Sequence, residues 1–457
     1  MTGRRRAAHG GVFAAAVIAV LTLPGVASAH GIGGRCDLPV PLEYFLVGAG
    51  VVLLLSFGAL AVLWPTPRLQ DGPRWRGAGW AVPGWIGGLL AAIGVGGLML
   101  VLSAGLFGES SARSNVAPVT VWVVAWLVLP FAAVVIGNVW SVISPWRTLG
   151  RLARLDGPSG PGAWGVWPAA GVFIAIVWFE LVYPRSGDPQ ALGMAALVYT
   201  VAILGLAFRF GIERTVASTE AYAVYHRLLS AIAPIGRRPD GTLGRRGWLR
   251  ALPVLPQWPG MAAFVVAMIG TVTYDGLSGT PWWDNLAFSL VGTAQHSVWF
   301  PTVALAAVVA VIGAAYAAAA WWATRISGPD GPSPVEVARS FAHTLVPIAL
   351  AYAFAHYFTL VAFEGQLIIP ALSDPLGLGW NLFGTIDYQP NYTWIPPVAV
   401  WWVQLTAIVG GHVVGVVLAH DRALAVFPGP RAVKTQYAML ALMVALTALG
   451  LTVLAAG

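Results

Sequence analysis

Long apolar runs alternate with short polar segments along this chain, and the pattern predicts its architecture. Most of the runs have the length, about 20 residues, that a helix needs to cross the hydrocarbon core of a bilayer. Because a helix satisfies its backbone hydrogen bonds internally, it is the element that such runs form in lipid. The sequence therefore predicts an all-α, polytopic integral membrane protein with about ten transmembrane helices. The runs are centred near residues 41–64, 80–107, 117–143, 164–184, 191–211, 258–273, 297–323, 337–363, 394–419 and 435–455.

The first 29 residues have the form of a secretory signal peptide. Three arginines at 4–6 precede an apolar stretch that starts near Gly11, and the small residues Ala27-Ser28-Ala29 follow it. We expect cleavage after Ala29, with an uncleaved anchor helix as the alternative. Cleavage leaves residues 30–457 as a single membrane domain, with His30 as an N-terminus outside the cytoplasm.

The charge distribution supports that orientation. Nineteen of the 25 Lys and Arg residues fall between runs on one side, whereas the other side holds only Arg35, Arg113 and Arg185. Such a bias marks the cytoplasmic side of a membrane protein. The net charge of +7 thus reports topology and gives no reason to expect nucleic acid. We predict a multi-pass protein of a bacterial cytoplasmic membrane, in contact with the lipid bilayer.

The longest segment on the basic side, residues 209–257, is predicted to be a basic cytoplasmic loop. It contains a stretch from Glu213 to Ile235 that can be helical. A positive-inside loop is the simpler interpretation of its arginines, and a site for anionic lipid or a cytoplasmic partner is the alternative.

Composition excludes several classes of protein. With 58% hydrophobic and 9% charged residues the chain is too apolar for soluble domains. One cysteine, Cys36, rules out an intramolecular disulfide and a four-thiolate metal site. The single lysine, Lys434, is not part of a phosphate-binding G-x-x-x-x-G-K-[ST] loop, and the zincin and serine-hydrolase motifs are absent as well.

Histidines are concentrated in two late runs, at 335–365 and 394–420. His343 and His356 lie 13 residues apart, which corresponds to roughly 20 Å along a helix, so they cannot bind one metal ion. If the second run returns antiparallel, His412 lies near the depth of His343 and Gln404 near that of His356. The sequence predicts two polar layers, one near each membrane face. Close helix packing is a sufficient explanation for the G-x-x-x-G formed by Gly411 and Gly415.

The predicted topology places many polar residues in the outer half or outside the membrane. Imidazole and carboxylate groups together suit a divalent metal such as zinc. Simpler roles compete: Asp275 can cap a turn, His296 can be a solvated interfacial side chain, and His356 can hydrogen-bond to Gln404. The outer residues are His30, Asp37, Glu43, Glu180, Tyr274, Asp275, Asp284, His296, His356 and Glu364.

Several motifs spread over the mature chain resemble those of bacterial, mainly actinobacterial, polytopic membrane proteins labelled fenitrothion hydrolase-like. The resemblance implies hydrolysis of an organophosphate triester, and it assigns no catalytic residues. The motifs are His30-Gly31-Ile32-Gly33-Gly34-Arg35 with residues 37–41, Ser144-Pro145-Trp146-Arg147-Thr148-Leu149, Tyr274-Asp275-Gly276 with Ser278, Gly411-His412, and Ala419-His420-Asp421-Arg422-Ala423-Leu424.

Given that reaction class, the outer residues predict a metal-hydroxide mechanism acting on a small apolar substrate. The expected metal ligands are His356, Asp275, His30 and His296. Glu180 or Glu364 is then the general base, and Tyr274 is the donor to the developing oxyanion. A transporter or permease, with a metal ion as a candidate substrate, is the alternative function, and a structural or assembly role is a third.

Overall fold

The structure, a computed structural model, describes residues 40–292, 298–427 and 429–456. The predicted signal peptide at 1–29 lies outside these ranges. Two of the predicted metal ligands, His30 and His296, also lie outside them.

Helices make up most of the described chain. In the first half they are α1 (Leu42–Leu63), α2 (Gly84–Phe107), α3 (Val116–Ile136), α4 (Trp140–Ile143), α5 (Pro145–Leu152), α6 (Trp167–Leu181), α7 (Pro189–Phe210), α8 (Ile212–Ser218) and α9 (Ala221–Ser230). In the second half they are α10 (Met261–Ser278), α11 (Pro281–Val291), α12 (Trp299–Ser327), α13 (Pro334–Phe341), α14 (Val346–Ala362), α15 (Ile368–Ser373), α16 (Pro397–Val426), α17 (Ala432–Thr435) and α18 (Tyr437–Ala456). Short 3-10 turns occupy Ala342–Leu345, Glu364–Leu367 and Gly429–Arg431.

Within the described ranges, nine helices are long and apolar enough to cross a membrane. They are α1, α2, α3, α7, α10, α12, α16, the continuous α13–α14 and the continuous α17–α18. The apolar helix α6 has 15 residues and is shorter than a typical span. A helix therefore lies in each of the ten predicted runs, and the prediction of an all-α polytopic membrane protein is confirmed.

Helix α10 lies near the centre of the bundle. In its most apolar stretch 67% of the residues are buried, against 22% for α1 and α2 at the periphery. Helix α10 packs against α6, α12 and α14. Side chains that α10 and α14 direct at each other are therefore shielded by protein.

Two glycines let α14 and α16 pack closely. A Cβ added at Gly411 would lie 2.3 Å from the Ala351 Cβ, and one at Gly415 would lie 3.2 Å from the Thr344 carbonyl oxygen. The predicted packing role of this G-x-x-x-G is confirmed. In the same antiparallel pair Gln404 Nε2 donates to the Ala355 carbonyl at 2.8 Å, at the depth of His356 as predicted.

His412 lies about one helical turn from the depth predicted for it. Its neighbour Gly411 faces Pro347 and Ala351, and the His412 ring is 5.5 Å from the Tyr352 ring. The position on α16 that lies at the depth of His343 is therefore closer to Gly415. Counting inward from the ends of two apolar runs ignores their unequal lengths, and this accounts for the difference.

Helices α8 and α9 form a buried pair within the segment predicted as a basic loop. Nearly every residue of α9 is buried, and this helix packs against α3 and α6. Between the two helices, Glu220 accepts a hydrogen bond from Tyr199, which lies in the middle of α7. The pair thus reaches the depth of the middle of a spanning helix, as broken helices can when protein surrounds them.

Contacts between connecting segments define two ends of the bundle. At the end that we call the basic end, the Asp421 carboxylate accepts hydrogen bonds from the backbone N–H groups of Arg68 and Leu69, and Arg250 donates to the Arg68 carbonyl. At the opposite end, the Glu109 backbone N–H donates to the Leu376 carbonyl and Trp122 Nε1 donates to the Ser186 carbonyl.

A small antiparallel sheet lies at the basic end. Its strands are β1 (Arg76–Trp80), β2 (Ile235–Arg237) and β3 (Leu243–Arg245), in the order β1-β3-β2. The sheet joins the connection before α2 to the connection after α9.

Candidate functional site

Asp275 is the centre of a polar cluster near the opposite end of the bundle. Its Oδ2 atom is 2.8 Å from His356 Nε2 and accepts a hydrogen bond from the Tyr357 hydroxyl at 2.7 Å. The structure therefore brings together two residues that the sequence predicts as site partners. We call Asp275, His356 and Tyr357 the Asp275 cluster.

The backbone around Gly276 allows these side chains to meet. A Cβ at Gly276 would lie 2.3 Å from Val453 Cγ1, a clash with α18, and 3.7 Å from His356 Nδ1, in contact with the imidazole. One turn before His356, the Tyr352 hydroxyl donates to the Leu446 carbonyl and ties α14 to α18. The helices that present the cluster are therefore held at a fixed separation.

The cluster is partly accessible. The side chains of His356 and Asp275 are 28% and 19% exposed. His356 also lines an interhelical cavity of about 30 Å³ with Tyr352, Gly450 and Val453. A cavity of that size holds one or two water molecules.

Glu180 lies beside the cluster, where it lines a second cavity with Tyr357. Its Oε2 atom is buried with no hydrogen-bond partner among the described residues. The second cavity, which Tyr225 also lines, has a volume of about 20 Å³, which is room for one water molecule. The predicted acid Glu180 is thus adjacent to the predicted pair of Asp275 and His356.

Helix α3 contributes Trp126 to this second cavity. Trp126 lines the cavity together with Glu180 and belongs to the π-helical stretch Val119–Val128. The wider turn of a π-helix shifts side chains relative to an α-helix, and such stretches are frequent at functional sites. A distorted helix therefore borders the cavity next to the cluster.

Two other predicted residues lie away from the cluster. Tyr274 is buried among Val182 and Leu305, with its ring edge-on to Trp283. Consecutive residues of a helix point about 100° apart, so Tyr274 and Asp275 face different neighbours. Glu364 lies in the 3-10 turn after α14, where it accepts a hydrogen bond from the exposed Tyr392 hydroxyl at 3.1 Å.

The described residues contain no group of three or more His, Cys, Asp and Glu side chains that could hold a metal ion. Two of the four predicted ligands, His356 and Asp275, are in hydrogen-bond contact with each other. The other two, His30 and His296, lie outside the described ranges. Zinc binding therefore stays a prediction.

Sequence reasoning missed Tyr357, the second donor to Asp275. Its position directly after His356 in an apolar run was the available signal, because a buried tyrosine hydroxyl needs a partner. Sequence reasoning also missed Glu220, whose carboxylate accepts hydrogen bonds from Trp140, Tyr199 and the backbone of Tyr222 and Ala223. All four partners are donors, so Glu220 is fully satisfied.

The histidines nearer the basic end have different surroundings. His343 and His412 are buried, and neither Nε2 atom has a partner among the described residues. His412 Nδ1 is 2.8 Å from the Ile408 carbonyl of its own helix. Within the described ranges no carboxylate forms a hydrogen bond with either ring, in contrast to His356.

Comparison with protein-family models, curated proteins and solved structures finds no match for this chain. The chemistry of the Asp275 cluster and Glu180 therefore has to be argued from these residues alone.

Proposed function

We propose that this protein is a membrane transporter in which the Asp275 cluster and Glu180 bind and release the protons that drive movement of a small solute. The observation that carries the proposal is the juxtaposition of two carboxyl groups, an imidazole and a phenol among apolar spanning helices. Ionisable groups at membrane depth are expensive, and where they occur they mark ion pathways and proton relays.

The cluster can accept a proton without losing its hydrogen bonds. The Tyr357 hydroxyl donates to the Asp275 carboxylate, and a neutral His356 donates from Nε2 to the same oxygen. His356 Nδ1 then remains as the proton acceptor. A proton on Nδ1 produces an imidazolium whose positive charge the neighbouring carboxylate stabilises.

Glu180 provides a second position for a proton. A cavity with room for one water molecule lies between its carboxyl group and Tyr357. A water there can hydrogen-bond to both groups and connect Glu180 to the Asp275 cluster. Among the described residues neither carboxylate has an Arg or Lys ion-pair partner. No fixed cation therefore locks either group in its charged form.

The proposal is tested by infrared difference spectra of the purified protein between acidic and neutral pH. We expect the wild-type spectrum to contain a carboxylic-acid C=O band. This band should disappear in Glu180→Gln or in Asp275→Asn. The matched control is Tyr274→Phe, which changes the residue beside Asp275 without touching the cluster. If both carboxyl variants keep the complete wild-type band, these groups do not exchange protons and the proposal fails.

Transport itself requires a sealed membrane. Proteoliposomes loaded with a pH-sensitive dye can be presented with manganese or zinc chloride under an imposed pH gradient. We expect ion-dependent proton movement that falls at least tenfold in His356→Gln and persists in Tyr274→Phe. Proton movement that is equal in wild type and His356→Gln would contradict a role for the cluster.

A hydrolase is the second candidate, and the bond between His356 and Asp275 favours it. An imidazole oriented by a carboxylate is a general base that can activate water. The two cavities beside the cluster have room only for water molecules, whereas drug-sized ligands occupy roughly 300 Å³ or more. A triester would therefore have to reach His356 from its exposed side or after a helix movement.

Hydrolysis is tested with a nitrophenyl phosphotriester. Loss of the wild-type activity in both His356→Ala and Asp275→Ala supports the hydrolase. Loss of the wild-type activity on adding a chelator, with recovery on adding zinc, supports the predicted metal. His343→Ala is the control in the other histidine layer, and we expect it to lower stability rather than activity. Full activity in both cluster variants would remove the hydrolase from consideration.

A further inference from the structure

The small sheet at the basic end has two different faces. Residues paired across strands share a face, and the pairs Arg76 with Arg245 and Arg237 with Leu243 place three arginines on one of them. All three are exposed. We call Arg76, Arg237 and Arg245 the arginine face.

The other face carries glycines and is covered by two further arginines. A Cβ at Gly244 would lie 2.2 Å from Arg238 Nε, and one at Gly236 would lie 2.7 Å from an Arg246 terminal nitrogen. Arg238 donates to the Gly77 carbonyl, and Arg246 donates to the Ser230 carbonyl at the end of α9. These two arginines stabilise the sheet.

On the arginine face, Arg237 makes one such contact, with Nη1 donating to the Gly241 carbonyl at 2.9 Å. Among the described residues no carboxylate forms an ion pair with Arg76, Arg237 or Arg245. Arg76 lies directly opposite Arg245, and like charges in that arrangement repel. An anion bound between the two guanidinium groups would remove the repulsion, and a phosphate group matches their donor geometry.

The position of the sheet indicates the source of the phosphate. Strand β1 ends at Trp80, and the spanning helix α2 begins four residues later at Gly84. Trp80 and Trp85 are 40% and 70% exposed, and tryptophans exposed at the ends of spanning helices lie at the level of the lipid headgroups. The arginine face is thus tied by a short connection to the membrane interface.

We infer that the arginine face binds the phosphate groups of anionic phospholipids. The inference is independent of the proposed transport function. It explains why Arg76 and Arg245 are placed opposite each other, where no residue of the described chain neutralises them.

The test uses full-length protein in neutral detergent, with phosphatidylglycerol or phosphatidylcholine added in parallel. Native mass spectrometry counts the bound lipids, and glycerol phosphate serves as the free-phosphate arm. We expect wild type to bind phosphatidylglycerol more tightly than phosphatidylcholine. The preference should fall about fivefold in Arg76→Gln and about fivefold again in the double variant with Arg245→Gln. Both decreases should be smaller in high salt.

The matched control is the double variant Arg154→Gln and Arg209→Gln, which removes the same charge from exposed arginines outside the sheet. It should keep the wild-type preference. An unchanged preference in the Arg76 and Arg245 double variant would overturn the inference. An effect of glycerol phosphate equal to that of phosphatidylglycerol would also overturn it. So would the absence of any lipid preference in wild type, and the arginine face would then be assigned to an acidic protein partner.

Discussion

The acidic residues of this protein differ in how completely their oxygens are hydrogen-bonded, and the difference separates structure from chemistry. Asp421 and Glu220 are buried carboxylates surrounded by donors. Asp275 has two donors, the His356 ring and the Tyr357 hydroxyl, and Glu180 has a buried oxygen with no partner among the described residues. A saturated carboxylate fixes the fold, whereas an unsaturated one is available to bind a proton or water.

Asp421 is predicted to be among the most important single residues for stability. Its carboxylate accepts hydrogen bonds from Trp64 Nε1 at 3.0 Å and Gln70 Nε2 at 2.7 Å, and from the backbone N–H groups of Arg68 and Leu69. Asp421→Ala leaves these donors without an acceptor, and we expect a loss of about 3 kcal/mol or more. Thermal unfolding in detergent measures the change.

Asp284→Ala is the control for that substitution, because Asp284 is exposed. Its unfolding midpoint should stay close to that of wild type. Equal midpoints for Asp421→Ala and Asp284→Ala would contradict the stabilising role assigned to Asp421.

The sequence predicted part of the site. His356, Asp275 and Glu180 could be found because ionisable residues stand out in apolar runs. Tyr274 and Glu364 satisfied the same criterion, yet both lie away from the cluster. Tyr274 packs against Trp283, and Glu364 accepts a hydrogen bond from Tyr392. Residue type and depth can be read from a sequence, but which helix faces meet depends on packing among all the helices.

At the scale of elements, the closest helix contact allows a sharp comparison between neighbouring glycines. A Cβ at Gly411 would lie 2.3 Å from the Ala351 Cβ and 2.8 Å from the Pro347 carbonyl oxygen, whereas one at Gly410 would meet nothing within 4 Å. Gly411→Ala must separate α14 from α16, so we expect it to destabilise by about 1–3 kcal/mol.

Gly410→Ala gains helix propensity without a clash and should stabilise by up to about 1 kcal/mol. The two variants differ by the position of one methyl group, and thermal unfolding of both in the same detergent compares them. Equal midpoints would mean that the close contact between α14 and α16 does not form.

The pairing of α5 with α8 predicts a dependence on pH. Burial tends to raise the pKa of Glu213, but hydrogen bonds and charges from Arg147 and Arg151 outweigh it and hold the pKa below its ordinary value of 4.5. A lowered pKa contributes stability that is complete above about pH 4.5 and is lost as the pH falls through the lowered value.

Arg147→Gln should therefore lower stability by about 1 kcal/mol at neutral pH, and the difference from wild type should shrink in acid. Unfolding midpoints at neutral and acidic pH test this. Arg74→Gln is the control, because Arg74 and Asp71 form an exposed pair. A deficit in Arg147→Gln that is the same at both pH values would show that the ion pair is not its cause.

The spanning helices were predictable because each is an uninterrupted apolar run. For α8 and α9 the sequence indicated a helical stretch but not its burial, since its residues include Glu213, Arg214, Glu220, His226 and Arg227, which are typical of a solvated loop. In the structure Glu220 and His226 are buried. Glu220 accepts a hydrogen bond from Trp140, and the His226 ring stacks on the Trp140 ring. A polar segment that folds into a bundle cannot be told from a surface loop until its partners are known.

For the whole molecule, the two ends of the bundle carry different chemistry. The Asp275 cluster lies near the end opposite to the sheet, since α10 and α14 both run away from the basic end before they reach it. Glu180, Asp275 and His356 each lie near the C-terminal end of their helix, α6, α10 and α14, so the three helices run in the same direction. A test of topology is therefore also a test of the site.

Gly365 and Arg238 lie at opposite ends of the bundle, the first in the turn after α14 and the second beside β2. Alkaline phosphatase fused after each residue should therefore give opposite results, because the enzyme is active only outside the cytoplasm. The nineteen-to-three bias of Lys and Arg predicts activity after Gly365 and none after Arg238. That result would give the cluster access from outside and the arginine face access to the cytoplasmic leaflet, whose anionic lipids it fits. The reverse pattern would turn both sites around, and equal activity at the two positions would contradict the helix arrangement itself.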